Sequence, residues 1–174
     1  MRMLPVRRIL FVVAAFAAVL IYGIWWVTYA GIHYIPRYTV KPPGATGEMQ
    51  GTTVRLLSLT RSNQLADTEG GEPEFPDPRA VWVVAELEAL RHDPAQEFYC
   101  GVQLVGPEWR LWSTTPVRTQ RAIQSCPPDL AVGQPVQFES IFMVPARYAD
   151  QLAGIALSDG STAARIPVIT PANG

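Results

Sequence analysis

The stretch AVWVVAELEAL, residues 80–90, decides the fold class of this chain. Every second position in it is apolar, and these positions are Val81, Val83, Ala85, Leu87 and Ala89. Glu86 and Glu88 fall on the opposite face. A period of two, with the acidic residues facing outward, predicts a half-buried antiparallel strand. Ala, Glu and Leu also favour a helix, but the run has no apolar stripe with a 3.6-residue period.

Short alternating segments on both sides of this strand predict further strands. They cover residues 52–59, 98–104, 109–113, 136–144, 155–158 and 164–169. Gly106-Pro107-Glu108 and Asp159-Gly160 are turn signals, and residues 148–152 have room for one helical turn. About seven short strands in roughly 120 residues predict an all-β fold, an immunoglobulin-like antiparallel β-sandwich that follows one N-terminal transmembrane α-helix.

The order of these segments resembles a known family. A strand AVWVVAELEAL, a hairpin VQLVGPEWRLWS, a strand that ends in FMVP and the piece GIALSDG are similar to the telokin-like, immunoglobulin-like extracellular domains of actinobacterial antigens and lipoproteins. The resemblance covers about residues 49–169. It implies a fold and an extracellular location, but no particular activity. In that family a signal peptide or lipid anchor usually precedes the domain, whereas this leader has the features of an uncleaved helix.

The N-terminal run predicts the membrane segment. Residues 9–32 carry no charged side chain, and a helix of that length is roughly 36 Å long. The hydrocarbon core of a bilayer is about 30 Å thick, so such a helix spans it with some tilt. Arginines at one end and amphipathic aromatic residues at the other predict a cytoplasmic N-terminus and an extracytoplasmic C-terminal domain. The predicted interface anchors are Arg7, Arg8, Trp25, Trp26 and Tyr29.

A cleaved signal peptide is the alternative reading of this run. Thr28-Tyr29-Ala30 is a weak match to a small-x-small cleavage site. The apolar region exceeds the usual 7–15 residues, and bulky Trp25 and Trp26 precede the site, so we expect an uncleaved anchor. Ala14 and Ala18 form a small-xxx-small pair that suits a neighbouring helix, although an Ala-rich run produces this spacing by chance.

The predicted organisation has five parts. These are a basic cytoplasmic tail (1–8), a transmembrane helix that serves as signal anchor (9–32), a Pro/Gly-rich juxtamembrane linker (33–48), an extracytoplasmic β-sandwich (49–170) and a C-terminal tail (171–174). Three of the 14 basic residues precede the apolar run, and the other 11 follow it with all 15 acidic residues. The soluble part therefore carries a net charge of −4, which argues against nucleic acid as a partner.

Two cysteines, Cys100 and Cys126, are predicted to form a structural disulfide. Disulfides persist outside the cytoplasm, and closing a loop of this size contributes roughly 3.5 kcal/mol on a chain-entropy estimate. Redox or metal chemistry is the alternative. It requires a CxxC pair or a Cys/His cluster, and the sequence contains neither.

A polar loop and several aromatic residues are the candidates for partner binding. The acidic residues of the loop are Asp67, Glu69, Glu72, Glu74 and Asp77. A Ca²⁺ site is conceivable, but the spacing and the prolines favour a solvated, mobile loop that could dock on a basic surface. Trp109 and Trp112 could bind a partner. The alternative, preferred for most of the aromatic residues, is core packing, and it also applies to Trp82 and Tyr99.

No catalytic constellation is recognisable. His92 follows a predicted strand in a turn, and no G-x-S-x-G elbow accompanies it, so a hydrolase is the least favoured reading. We predict a protein that is not an enzyme and has no cofactor or metal. Its predicted role is a membrane-anchored binding or structural module with an envelope protein as partner. The alternative is an accessory subunit of a membrane complex, recruited through its transmembrane helix.

Overall fold

The computed structural model describes residues 6–33, 37–96, 98, 100–123, 126–127, 129–158 and 165–172. The chain divides into two compact units. The first holds one helix. The second, Tyr38–Ser161 with Arg165–Gly174, holds the sheets. The protein is thus mostly β-sheet, with one apolar helix at its N-terminus.

Helix α1 is Val6–His33, and no proline interrupts it. Its segment Ile9–Gly31 has the length and composition of a membrane span, which fits a membrane anchor or a signal sequence. Aromatic rings stack along its C-terminal end, with Trp25 on Tyr29 at 5.3 Å between ring centroids. The side chains of the predicted anchors Arg7 and Arg8 lie outside the described part of the helix.

The described residues contain nine strands, all of which lie in the second unit except for Arg37 at the start of β1. They are β1 Arg37–Val40, β2 Gly47–Met49, β3 Thr52–Ser62, β4 Ala80–Arg91, β5 Val102–Val105, β6 Leu111–Ser113, β7 Pro135–Pro145, β8 Gly154–Leu157 and β9 Arg165–Ile169. Sheet A has the order β1-β9-β8-β5-β6, and sheet B has the order β2-β3-β4-β7. A short 3₁₀ helix, Ala146–Gln151, follows β7 where one helical turn is predicted.

The two sheets share one core. It contains Phe138 and Phe142 of sheet B and Leu104 and Ile155 of sheet A, all without solvent exposure. Burial of these large apolar side chains is the main favourable contribution to the stability of the unit. A two-sheet architecture agrees with the prediction at this level.

Strand β4 confirms the prediction for residues 80–90 and differs from it in one respect. The predicted inward face is buried from Val83 to Ala89, but Trp82 and Val84 on the opposite face are buried as well. They pack with Leu65 and Ile141 in a second cluster on the outer face of sheet B. The strand is therefore half-buried only in its later part, where Glu86 and Glu88 lie.

Part of the segment predicted as a linker, residues 33–48, belongs to the sheets instead. Strand β1 lies within it, and β2 begins at Gly47. Beyond β1 the Lys41 amide donates to the Val168 carbonyl at 2.8 Å, and the Gly44 amide donates to the Thr170 carbonyl at 3.0 Å. The correction has a physical reason: RYTV is β-branched and aromatic, and a distant strand supplies its partner.

Two smaller predictions also change. The strand predicted over 98–104 begins only at Val102, and the one predicted over 109–113 begins only at Leu111. In the second case Glu108 and Trp109 have positive φ angles and form the turn of the hairpin. The predicted turn Asp159-Gly160 lies outside the described residues, as do Asn173 and Gly174 of the predicted C-terminal tail.

A glycine where β8 meets β9 provides a test of this register. Gly154 has φ +140°, and a Cβ there would overlap the carbonyl oxygen of Ile169. Gly154→Ala should lower the free energy of unfolding by about 3 kcal/mol, measured by chemical denaturation of the full chain in detergent. Gly133→Ala is the matched control, because Gly133 also has positive φ but open space around it; it should cost about 1 kcal/mol. Equal losses would contradict the register.

Candidate functional site

A groove of about 700 Å³ is lined by residues of both sheets. One wall comes from residues 139–141 of β7, and another comes from Cys100 and Val102 at the start of β5. The connection between β6 and β7, which includes residues 114–123, lines the remainder. The groove is therefore bounded by both sheets and by this connection.

A charged pair sits in the groove. Glu139 is only 7% exposed, and it accepts two hydrogen bonds from Arg121, from Nε at 2.9 Å and from Nη2 at 3.2 Å. The third guanidinium nitrogen donates to the Ala66 carbonyl at 3.2 Å. Glu139 lies directly opposite Glu86 on β4, so the guanidinium also offsets a like-charge neighbour. A forked pair of this geometry is among the stronger charge-assisted contacts.

The two cysteines lie at disulfide distance where the connection meets the core. Cys100 and Cys126 have Cα atoms 6.4 Å apart, and both line the groove. This separation falls in the range that disulfides occupy. The bond ties the far end of the connection to the residues that precede β5.

The predicted acidic loop is held by backbone pairing. The Leu65 amide donates to the Glu74 carbonyl at 2.8 Å, and the Glu74 amide donates to the Leu65 carbonyl at 2.9 Å. The indole nitrogen of buried Trp82 donates to the Glu74 carbonyl at 3.2 Å. We name residues 65–77 the acidic loop. Backbone pairing at Leu65 and Glu74 thus adds contacts that the expectation of a solvated loop did not include.

Two of its carboxylates hold the connection between β6 and β7. Glu74 Oε2 accepts the backbone amides of Arg118 and Thr119, at 2.7 and 3.3 Å. Asp67 Oδ2 accepts the amide of Gln120 at 3.0 Å. These acids satisfy backbone donors that no strand partner reaches, which gives them a structural role.

The pKa of the Asp67 carboxyl is lowered from its ordinary value of 3.8. The main cause is the hydrogen bond from the Gln120 amide, and the second is the bond from the Glu69 amide at 2.8 Å. Both bonds favour the charged form.

The other three acids, Glu69, Glu72 and Asp77, are exposed. In the part of the chain that the structure describes, no group of three or more metal-ligating side chains comes together. Between Glu74 and Asp77 the side chain of Phe75 projects from the loop and is 65% exposed. Sequence reasoning missed Phe75, although a lone aromatic residue in a polar, proline-rich loop was a signal for it.

The aromatic residues named as candidates differ in their exposure to solvent. Trp112 is partly buried against the core, with its ring 6.0 Å from that of Tyr148, and Trp82 is buried. Trp109 is 49% exposed and stacks on Tyr38 at 5.4 Å. Tyr99 lies outside the described residues.

His92 has a surface contact. Its Nε2 lies 3.4 Å from Glu48 Oε2, and both side chains are at least half exposed. Its backbone amide donates to the Gly51 carbonyl at 3.0 Å, as a turn after β4 requires. An exposed pair of this kind contributes little to stability.

Comparison with known proteins adds one structural likeness. No protein-family model matches the chain, and no curated protein matches it. A crystal structure of a conserved hypothetical protein from Bacillus anthracis is similar to 68% of this chain and to 89% of its own. The identity is 12% and the TM-score is 0.47, so this likeness carries no argument about function.

Removal of the cation beside buried Glu139 should be costly. Arg121→Met leaves Glu139 buried opposite Glu86 with no cation, so we expect the free energy of unfolding to fall by about 3 kcal/mol in chemical denaturation. Arg55→Met is the control. Arg55 lies 2.8 Å from Glu88 in an exposed pair, and its loss should cost at most about 1 kcal/mol. Adding Glu139→Gln to Arg121→Met should recover part of the loss; no recovery would contradict the role given to the pair.

The lowered pKa of Asp67 predicts a pH dependence. A carboxyl whose pKa is lower in the folded state stabilises the fold above its unfolded pKa, and this contribution is lost as the pH falls from about 3.8 through the folded value. Asp67→Asn should therefore be less stable than the wild type at pH 7, and the difference should vanish in strong acid. Thermal unfolding at a series of pH values measures it. A difference that persists at the lowest pH would contradict the assignment.

Proposed function

We propose that the chain is a membrane-anchored, extracytoplasmic, immunoglobulin-like module that binds another protein of the cell envelope without catalysis. The acidic loop is the proposed binding surface, with Phe75 at its centre. The observation that carries the proposal is the 65% exposure of Phe75 on a loop whose flanking backbone is fixed.

The fixed backbone makes Phe75 suitable as an anchor for a partner. Glu74 is paired with Leu65 on one side, and the Asp77 carbonyl accepts the Ala80 amide at 2.9 Å on the other. An aromatic side chain on such a loop loses little conformational freedom when it enters a pocket. Aromatic anchors of this kind dominate the binding energy of protein interfaces.

The charges around Phe75 define the chemistry of the partner. Glu69, Glu72 and Asp77 belong to the same loop and are exposed, whereas Asp67 and Glu74 are engaged with backbone amides. Rim charges govern association rate and partner choice more than affinity. The expected partner therefore has an apolar pocket for one aromatic ring, surrounded by Lys or Arg.

The connection between helix and sheets supports a tethered module. Three residues separate His33 from Arg37, the first residue of β1. An extended chain of that length reaches about 14 Å. If α1 is an uncleaved anchor, the domain stays near the bilayer, where its effective concentration for a membrane partner is high. The basic N-terminal tail supports an extracytoplasmic domain. The shared core of two sheets and the family resemblance support the immunoglobulin-like class.

Site-specific crosslinking in cells tests the binding surface. A photoreactive phenylalanine analogue in place of Phe75 should give a discrete adduct of the full chain, whereas the same analogue at exposed Val132 should not. Glu72→Lys with Asp77→Lys should reduce the adduct at least about tenfold, because each removes and reverses a rim charge. Glu108→Lys, an exposed acid on another loop, is the matched control and should have no effect.

The same experiment has two outcomes that count against the proposal. If the double variant of Glu72 and Asp77 gave as much adduct as the Glu108→Lys control, the charges of the acidic loop would not select the partner. An intact mass that corresponds to a chain starting near Gly31 would show that the leader is cleaved, and the domain would then have no tether. The mass of the membrane-extracted chain decides this second point independently.

A further inference from the structure

Strand β7 is the edge of sheet B beside the groove. It pairs with β4 in a register without shifts from Pro135 to Pro145, and it stands at the end of the strand order of its sheet. The far side of an edge strand presents backbone amides and carbonyls that no ladder satisfies. Residues 139–141 of this edge line the groove. The groove is therefore bounded in part by strand backbone.

Two hydrogen bonds to Thr115 show which residues of β7 direct their backbone groups away from β4. The Thr115 amide donates to the Ile141 carbonyl at 2.7 Å, and the Met143 amide donates to Thr115 Oγ1 at 3.2 Å. In an antiparallel ladder the amide and the carbonyl of one residue point to the same side, and every second residue repeats that direction. Glu139 therefore also directs its amide and carbonyl away from β4, whereas Phe138 directs its own toward β4.

The connection between β6 and β7 satisfies only one end of this edge. Thr115 pairs at Ile141, and beyond it the amides of residues 118 and 119 donate to Glu74 of the acidic loop instead. Within the described residues, no backbone hydrogen bond from outside the ladder reaches the Glu139 amide or carbonyl. Glu139 is buried, and buried backbone groups in native structures are almost always paired. The edge at Glu139 thus lacks a strand partner.

The groove offers no unpaired charge to a ligand. Among the described residues that line it, Arg121 and Glu139 are the only charged side chains, and they neutralise each other. A charged ligand group would lose its hydration here without gaining an opposite charge. The groove therefore suits an uncharged ligand, and its volume lies in the range of about 300–1,000 Å³ that ligand sites occupy.

Hydroxyl groups and aliphatic side chains form much of the lining. Thr119 is 8% exposed, and its hydroxyl is buried with no hydrogen-bond partner among the described residues. An unpaired buried hydroxyl is costly, and a ligand that supplies a donor or an acceptor removes that cost. The lining also contains Thr114, Ser140, Val102, Val117, Ile123 and Ile141. A chain with β-branched side chains matches this lining and favours the extended conformation.

We propose that the groove binds an extended, uncharged peptide segment of another protein, which adds to the edge of β7. The backbone of the segment pairs with the outward amide and carbonyl of Glu139. In this mode of recognition the main-chain hydrogen bonds give affinity, and the side chains that line the groove set the preferred sequence. The inference goes beyond the Phe75 surface, and it rests neither on that surface nor on α1 as an anchor.

Amide hydrogen exchange, measured by NMR on the full chain in detergent, tests this pairing. The probe is a synthetic heptapeptide of alternating threonine and valine with blocked ends. At about 1 mM peptide, a dissociation constant of about 0.1 mM slows exchange of the Glu139 amide about tenfold. The Phe138 amide, which already faces β4, is the internal control and should not change. The same peptide with N-methylated backbone amides should have no effect, because it has no donor for the Glu139 carbonyl. Unchanged exchange at Glu139, or an equal effect of the N-methylated peptide, would overturn the proposal.

Two matched variants locate the bound peptide. Thr114→Trp fills the groove from an exposed position in its lining and should abolish the effect at Glu139. Arg118→Trp adds the same bulk at an exposed position of the same connection that is not among the lining residues, and it should leave binding unchanged. Thermal unfolding shows that each variant is folded. Equal binding by the two folded variants would overturn the proposed location.

The charge of the peptide tests the selectivity of the groove. A lysine at the centre of the heptapeptide should weaken binding at least about tenfold, because its charge finds no partner. Equal affinity for this peptide would overturn an uncharged occupant. Phe75→Ala should leave the protection of the Glu139 amide unchanged. A negative peptide result leaves the Phe75 crosslinking outcome unaffected, so the two proposals fail separately.

Discussion

Burial of both faces of β4 is the constraint on which the rest of the β-sheet unit depends. The inward residues Val83 and Leu87 belong to the core shared by the sheets. The outward residues Trp82 and Val84 are as large and apolar, and they cannot be left in water without loss of hydrophobic stabilisation. Chain from outside the sheets must therefore cover them. Leu65 of the acidic loop and Val117 of the connection between β6 and β7 do so, and the proposed binding surface lies in the acidic loop.

The covering of Trp82 explains why the acidic, proline-rich loop is hydrogen-bonded to its surroundings. Leu65 packs on Trp82, and the Trp82 indole donates to the Glu74 carbonyl. Asp67 and Glu74 then accept amides from residues 118–120, so the two irregular segments satisfy each other's backbone. Phe75 lies between Glu74 and Asp77, whose backbone groups are hydrogen-bonded, and its side chain stays outside this cover.

The sequence predicts those parts of the fold whose evidence is local. Period-two alternation identifies β3, β4 and β7, and the uncharged run identifies α1. The sequence does not predict strand β1, because RYTV is short, stands among three prolines and receives its partner from residues more than 120 positions away. The anchoring of the acidic loop was missed for the same reason. Asp67 and Glu74 look solvated until residues 118–120 are placed beside them, and no local pattern encodes that contact.

The connection between β6 and β7 links the groove to the acidic loop. Arg121 holds Glu139 in the groove wall and also donates to the Ala66 carbonyl. One residue earlier, the Gln120 amide donates to Asp67. If this connection moved and the acidic loop did not, the hydrogen bonds from Arg121 to Ala66 and from Gln120 to Asp67 would break. These bonds survive only if the two segments move together. If the acidic loop and this connection moved together away from sheet B, they would expose Trp82 to water. The hydrophobic cost of exposing Trp82 opposes this movement, and it therefore also opposes displacement of the loop that carries Phe75.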